Sequence, residues 1–188
     1  MTPHRSAIRL ALFAILVATG ARASQVIHLD TRGLVHESSD IVIGQVEDQS
    51  AHWNAEHTRI VTDVTVHVTQ RLKGAAAERI TLQQWGGEID GLRYAIPGAP
   101  SFTRGEEALL FVWRDAQGRP QVDGLAQGKF EIRRDPATGE RLVQRAADGL
   151  AVRDVRSLAM VPTGGVTPRL KLDDLVKEIQ GALGEAGR

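Results

Sequence analysis

Between Arg59 and Gly87 the chain reads RIVTDVTVHVTQRLKGAAAERITLQQWGG, and its apolar positions recur every second residue. Ile60, Thr62, Val64, Val66 and Val68 fall on one side of an extended chain, with Val61, Asp63, Thr65, His67 and Thr69 on the other. That period of two is the signature of a strand sheltered on one face. The pattern breaks at Leu72-Lys73-Gly74, and Ala75 to Glu78 makes a connection. Arg79 to Trp85 then resumes alternation, with Ile80, Leu82 and Gln84 opposite Thr81, Gln83 and Trp85. The two runs are expected to pair antiparallel.

The flanking segments extend this β pattern. QVIHL after Ser24 reads as an edge strand, and Leu34-Val35 as the apolar face of a helical turn capped by Asp30 and Thr31. Asp40 to Glu47 (DIVIGQVE) is a strand whose isolated Gly44 predicts a bulge or the close approach of another backbone. The polar run SAHWNAEH, from Ser50 to His57, is expected to loop into the long strand. Beyond Trp85, GGEIDGLRYAIPGAPSFTRGEE is the longest irregular stretch, with a short strand expected where Leu92, Tyr94 and Ile96 alternate. Long loops in compact domains commonly carry function, so a binding surface is expected here. EALLFVWR (Glu107 to Arg114) is nearly continuously apolar, which argues burial on both faces.

DAQGRP and DPATGE are turns that frame QVDGLAQGKFEIRRD, two strands interrupted by Gly124 and Gly128, with Gly128 expected to relieve a bulge between them, and RLVQR follows. Residues from about 148 to 168 carry turn formers and receive no element. At the end, Leu172, Leu175, Val176, Ile179 and Leu183 lie at helical spacing, with Asp173 and Asp174 in the first turn where the dipole favours them. That helix should span about 172–183 and stop at Gly184 or Gly187. The expected fold is a single mainly β domain over 24–188, with six to eight antiparallel strands to about residue 146 and an amphipathic C-terminal helix. Open sheet edges template aggregation, so the strands should close into a barrel or fold over as a sandwich.

The first 23 residues change the picture. MTPHRSAIR carries two arginines, LALFAILVA is an apolar run, and Ala21-Arg22-Ala23 offers a cleavage site before Ser24, together the pattern of a secretory signal peptide. Nine apolar residues at about 1.5 Å each fall far short of the roughly 30 Å hydrocarbon core, so a membrane anchor is not expected. No later apolar run is long enough to span, and a secreted or periplasmic location follows. Removing Arg5, Arg9 and Arg22 from 23 basic groups leaves 20 against 23 acidic ones, a mature net charge of −3 with histidines neutral. That balance offers no basic footprint for nucleic acid. The chain has no cysteine, so packing alone must hold an exported fold together.

The succession SSDIVIGQV, TDVTVHVTQRLKG, ITLQQWGGEIDG, FTRGEEALLFV and GLAQGKFEI resembles a group of uncharacterised secreted bacterial proteins, over about Leu34 to Arg134. Members of that group are often encoded near matrixin-like metalloproteases. More distantly, the strand Ile41 to Val46, the Lys73-Gly74 turn, and Gly105-Glu106 before an apolar strand resemble the netrin-type module, an OB-fold barrel found in tissue inhibitors of metalloproteinases. The resemblance implies an OB-like or netrin-like barrel and a metalloprotease as partner. Two features depart from those inhibitors. Their N-terminal cysteine has no counterpart here, where the mature chain would begin Ser24-Gln25, and residues 86 to 105 are too rich in Gly and Pro for the helix an OB barrel inserts there. A shared barrel does not carry activity with it.

Candidate chemistry is sparse. His52, Glu56 and His57 form the one cluster that suggests metal ligation, but HWNAEH lacks the HExxH spacing that places two histidines one helical turn apart. Glu88 and Asp90 could pair for acid/base work or hold a hard cation, although turns are commonly acidic. No GxSxG elbow or phosphate-binding glycine loop is present, and no catalytic residue, metal ligand or cofactor is assigned. Trp85 stands before two glycines at the mouth of the long loop, so Trp85, Gly86, Gly87, Glu88, Tyr94 and Phe102 are taken as a recognition patch. The sequence therefore points to a monomeric, exported, non-catalytic domain that binds another exported protein. The alternatives are a metal-assisted hydrolase using His52, His57 and Glu88 or Asp90, and an envelope-associated structural or carrier domain.

Overall fold

The computed structural model describes residues 25–146, 151–153, 160–161 and 169–186. The leader expected at 1–23 and most of the unassigned 148–168 segment lie outside the described residues. In chain order the elements are β1 (Gln25–Ile27), α1 (Thr31–Glu37), β2 (Asp40–Trp53), β3 (Ile60–Lys73), β4 (Arg79–Trp85), β5 (Gly87–Ile89), β6 (Leu92–Tyr94), β7 (Glu107–Arg114) and β8 (Pro120–Val122). A 3-10 turn (Leu125–Gly128) leads to β9 (Lys129–Arg134), β10 (Arg141–Arg145), β11 (Ala151–Arg153), β12 (Met160–Val161), β13 (Leu170–Lys171) and α2 (Leu172–Ala186).

The alternating run is the long strand β3, and it pairs antiparallel with β4 from Val61↔Trp85 to His67↔Arg79. The principal sheet has the order β13-β10-β9-β7-β2-β3-β4, and β8 adds to β7 beyond the end of β9. β4 lies against β8 with no ladder between them, so the sheet curls toward a barrel and stops short of closing. The protein is thus mainly β, with one large antiparallel sheet and a C-terminal helix.

Side chains alternate between two apolar layers. Val42, Val46, Val64, Val66, Ile80, Leu82, Leu110, Val112 and Val122 fill the inside of the curl. Ile41, Ile43, Leu109, Phe111, Phe130, Ile132 and Val143 face outward and are covered by Leu34 and Val35 of α1 and by Leu172, Leu175 and Ile179 of α2. β7 serves both layers, which is why Ala108 to Val112 are all buried. Each fully buried Leu, Ile or Phe contributes about 1.5–3 kcal/mol relative to exposure.

Local chemistry fixes the joints. Asp30 caps α1 by accepting from the Gly33 amide at 2.7 Å. Lys73 Nζ donates to the carbonyls of Val35 (2.6 Å) and Ser38 (2.5 Å), closing the helix C-terminus where a cation is favoured. At Gly44 the β2–β3 register shifts, and a Cβ there would collide with the His67 carbonyl and lie 2.7 Å from Val66 Cγ1. The expected bulge and close backbone approach therefore coincide.

Four expectations need correction. β2 runs on to Trp53, so His52 and Trp53 sit on a strand paired with Val61 and Ile60, and only the turn that follows is irregular. The stretch after Trp85 contains a hairpin, β5 with β6, rather than a lone strand. Its turn, Asp90-Gly91, has φ of 51° and 75°, the positive values an Asp-Gly hairpin turn requires. Gly128 lies in a 3-10 turn, where a Cβ would collide with backbone at Asp123, instead of relieving a bulge between strands. Finally three short strands follow Ala146, while α2 runs to Ala186, just before Gly187, one of its two expected stops.

Candidate functional site

The stop in the curl between β4 and β8 creates the site. Where β4 ends, Gly86 and Gly87 (φ 101° and 147°) turn the chain into the β5–β6 hairpin. Both turns are tightly fitted. The Gly86 amide donates to Ile60 O at 3.0 Å, Thr62 Oγ1 donates to Gly86 O at 2.7 Å, and a Cβ on Gly87 would sit 2.6 Å from that hydroxyl oxygen. The chain then passes back over the inside of the curl. Gln49 Nε2 donates to Phe102 O (3.3 Å), Gln45 Nε2 to Gly105 O (3.0 Å), and the Ala126 amide to Gly98 O (3.0 Å).

The strongest tie is Lys129. It is wholly buried, ion-pairs with Glu106 at 2.5 Å, donates to the Ser101 carbonyl, and lies 4.6 Å from the centre of the Phe102 ring. A buried ammonium is tolerated only with such partners.

This strap and the sheet enclose a groove of about 670 Å³, within the range of ligand sites. Trp85, Gly86, Gly87, Glu88, Tyr94 and Phe102 all line it. A second space of about 610 Å³ opens between β4 and β8, and Gln84, Trp85, Tyr94, Ile96 and Ala99 border both. Trp113 and Asp123 stand on its far side. Trp85, Tyr94 and Trp113 remain 39%, 40% and 37% exposed, while the chain holds only three tryptophans and one tyrosine in all. Arg59 stacks its guanidinium 4.7 Å from the centre of the Trp85 ring.

Gln84 is the unusual member. It continues the inward row of Ile80 and Leu82, is 8% exposed, and its Nε2 has no hydrogen-bond partner. Among the described residues three other buried side-chain atoms lack one, but each belongs to a residue beside an opposite charge: Glu106 with Lys129, Arg141 with Glu107, and His67 at 3.9 Å from Glu47. Burying an unpaired amide costs about 1–3 kcal/mol. The carboxyl of Asp123 is pushed above its ordinary range by burial, against the hydrogen bond from Ser38 Oγ at 3.2 Å.

The histidine cluster assembles differently. His52 Nδ1 faces Trp53 O at 2.9 Å and Nε2 faces Asp63 Oδ2 at 3.1 Å. The Trp53 carbonyl, and after it Asp63, raise the His52 pKa against the opposing effect of desolvation. With both nitrogens directed at acceptors, the ring is a poor general base. His57 stacks on Trp53 at 6.5 Å instead of turning toward His52. Among the described residues no group of three or more His, Cys, Asp or Glu side chains is placed to hold a metal ion, so His52, His57, Glu88 and Asp90 do not form one.

The six residues singled out in the sequence all line one groove, and Gln84, Arg59 and Trp113, which border the adjoining space, were not among them. A glutamine continuing an apolar row was the available signal for the first. Among the described residues no helix is long and apolar enough to cross a membrane. No protein-family model matches this chain, and no curated protein matches it.

Proposed function

We propose that this protein is an exported, non-catalytic binding domain that recognises another exported protein with the aromatic groove at the open seam of its sheet. One observation carries the reading: Trp85, Tyr94 and Trp113 stand partly exposed around one space, although the chain has few aromatic residues and ample core to bury them in. Tyrosine and tryptophan combine large apolar area with a polar edge and dominate recognition surfaces for that reason. The strap held by Lys129 gives the groove a fixed wall, which lowers the ordering cost of binding. The signal-like leader supports export, and the resemblance to proteins encoded beside matrixin-like metalloproteases makes such a protease the first partner to try.

The test is co-purification and calorimetric titration of the mature chain with an exported metalloprotease encoded beside it, using the wild type and Trp85→Ala. A complex that Trp85→Ala weakens supports the reading. No complex at micromolar concentrations, or one indifferent to Trp85, counts against it.

A further inference from the structure

Three features of the groove together describe an occupant. The first is Gln84, a residue that lines both spaces and whose buried carboxamide nitrogen lacks an acceptor. The second is Arg59. It is exposed, its guanidinium stacks on the Trp85 ring, and among the described residues it has no carboxylate at ion-pair distance. The third is main-chain capacity: β4 pairs only with β3 and β8 only with β7, so the facing edges of the seam carry peptide groups with no ladder partner.

Arg59, Gln84 and the three exposed aromatics border the same space of about 610 Å³. An apolar side chain fits the rings, a carboxylate fits the guanidinium, and a carbonyl fits both the amide and the strand edge. A neutral sugar would stack on the rings and accept from Gln84. It would leave Arg59 without a counter-charge and the strand edges unpaired.

We infer that the seam between β4 and β8 binds an extended acidic peptide segment of a partner protein, with Gln84 bonding its main chain, Arg59 pairing with an Asp or Glu, and an apolar side chain seated among Trp85, Tyr94 and Trp113. This rests on the binding-groove reading and specifies what the partner presents. Main-chain bonding at a free strand edge gives affinity, and the flanking pockets give selectivity.

The experiment pans the mature protein against a phage-displayed library of random linear peptides and titrates the enriched sequence as a synthetic peptide. Chitin and cellulose oligosaccharides form a parallel arm. Enrichment of Asp or Glu next to an aliphatic or aromatic residue is expected. Gln84→Met and Arg59→Gln should each weaken the peptide roughly tenfold, and Arg59→Lys should restore part of the loss. Circular dichroism confirms that each variant is folded.

Enrichment without acidic residues, or affinity unchanged in both Gln84→Met and Arg59→Gln, overturns the inference. Oligosaccharide binding that Trp85→Ala abolishes, with no peptide enriched, also overturns it. If a whole exported protein binds through Trp85 while Gln84→Met and Arg59→Gln change nothing, the groove reading survives and the peptide inference fails.

Discussion

The outward face of the sheet, with Ile41, Ile43, Leu109 and Phe111, is sealed by α1 and α2, and every one of these side chains is at 0–1% exposure. The inward face starts with equally dry residues, Val42, Val64, Val66 and Leu82, but at the seam it passes into Gln84 and the exposed rings of Trp85, Tyr94 and Trp113. One face is completed by the chain's own helices, and the other is left open where β4 and β8 fail to pair. On the proposed reading, stability and recognition lie on opposite faces of the sheet, and substitutions on the two sides should behave in opposite ways.

The largest effect is expected on the sealed face. Phe111→Ala empties the site that packs against Phe130, ring centres 5.9 Å apart, and should cost about 3–5 kcal/mol in denaturant unfolding. Next comes Lys129→Ala, which leaves Glu106 and the Ser101 carbonyl without their donor. A loss of about 3 kcal/mol is expected, with faster amide exchange concentrated in the 86–105 strap. Should exchange rise uniformly instead, Lys129 does not hold the wall of the groove. By contrast Trp85→Ala should change stability by only about 1 kcal/mol while removing partner binding, because its ring is already partly in water.

The smallest effect concerns His52. The Trp53 carbonyl and the Asp63 carboxylate raise its pKa above 6.5, so the folded state holds this proton more tightly than the unfolded chain does. Its contribution is complete below 6.5 and is lost as pH rises through the raised value. Unfolding midpoints should therefore fall slightly from mildly acidic to alkaline pH, and His52→Gln should flatten that part of the profile.

Much of this contrast could be read from residue order, and its limits have physical causes. β3, β4 and β7 were legible because their own alternation or continuous apolarity reports their burial, as was the α2 stripe. The far half of β2 was not. Asp48, Gln49 and Ser50 are exposed, so that stretch is strand because β3 pairs with it and not because of its own pattern. Lys129 could not be assigned to the interior from KFEIRR, since a lysine beginning a strand normally faces water and its partners lie on a distant loop. The Asp90-Gly91 hairpin did have a local signal, an Asp-Gly pair between Ile89 and Leu92, which the glycine-rich surroundings obscured. The six patch residues were singled out from Trp85 and its glycines, and they share one groove. Gln84 carried a signal, a glutamine continuing an apolar row, whose meaning needed its missing partner, and Arg59 becomes a candidate only when its place over the Trp85 ring is visible.

Thermal unfolding of Gln84→Met probes the central claim, that the seam is built around a need the chain itself does not fill. Methionine has nearly the same shape and no amide to desolvate, so if Nε2 is unpaired the variant should unfold at the wild-type temperature or a few degrees above it. A fall of several degrees would mean that the amide is already bonded within the fold, and would contradict an open seam awaiting a partner.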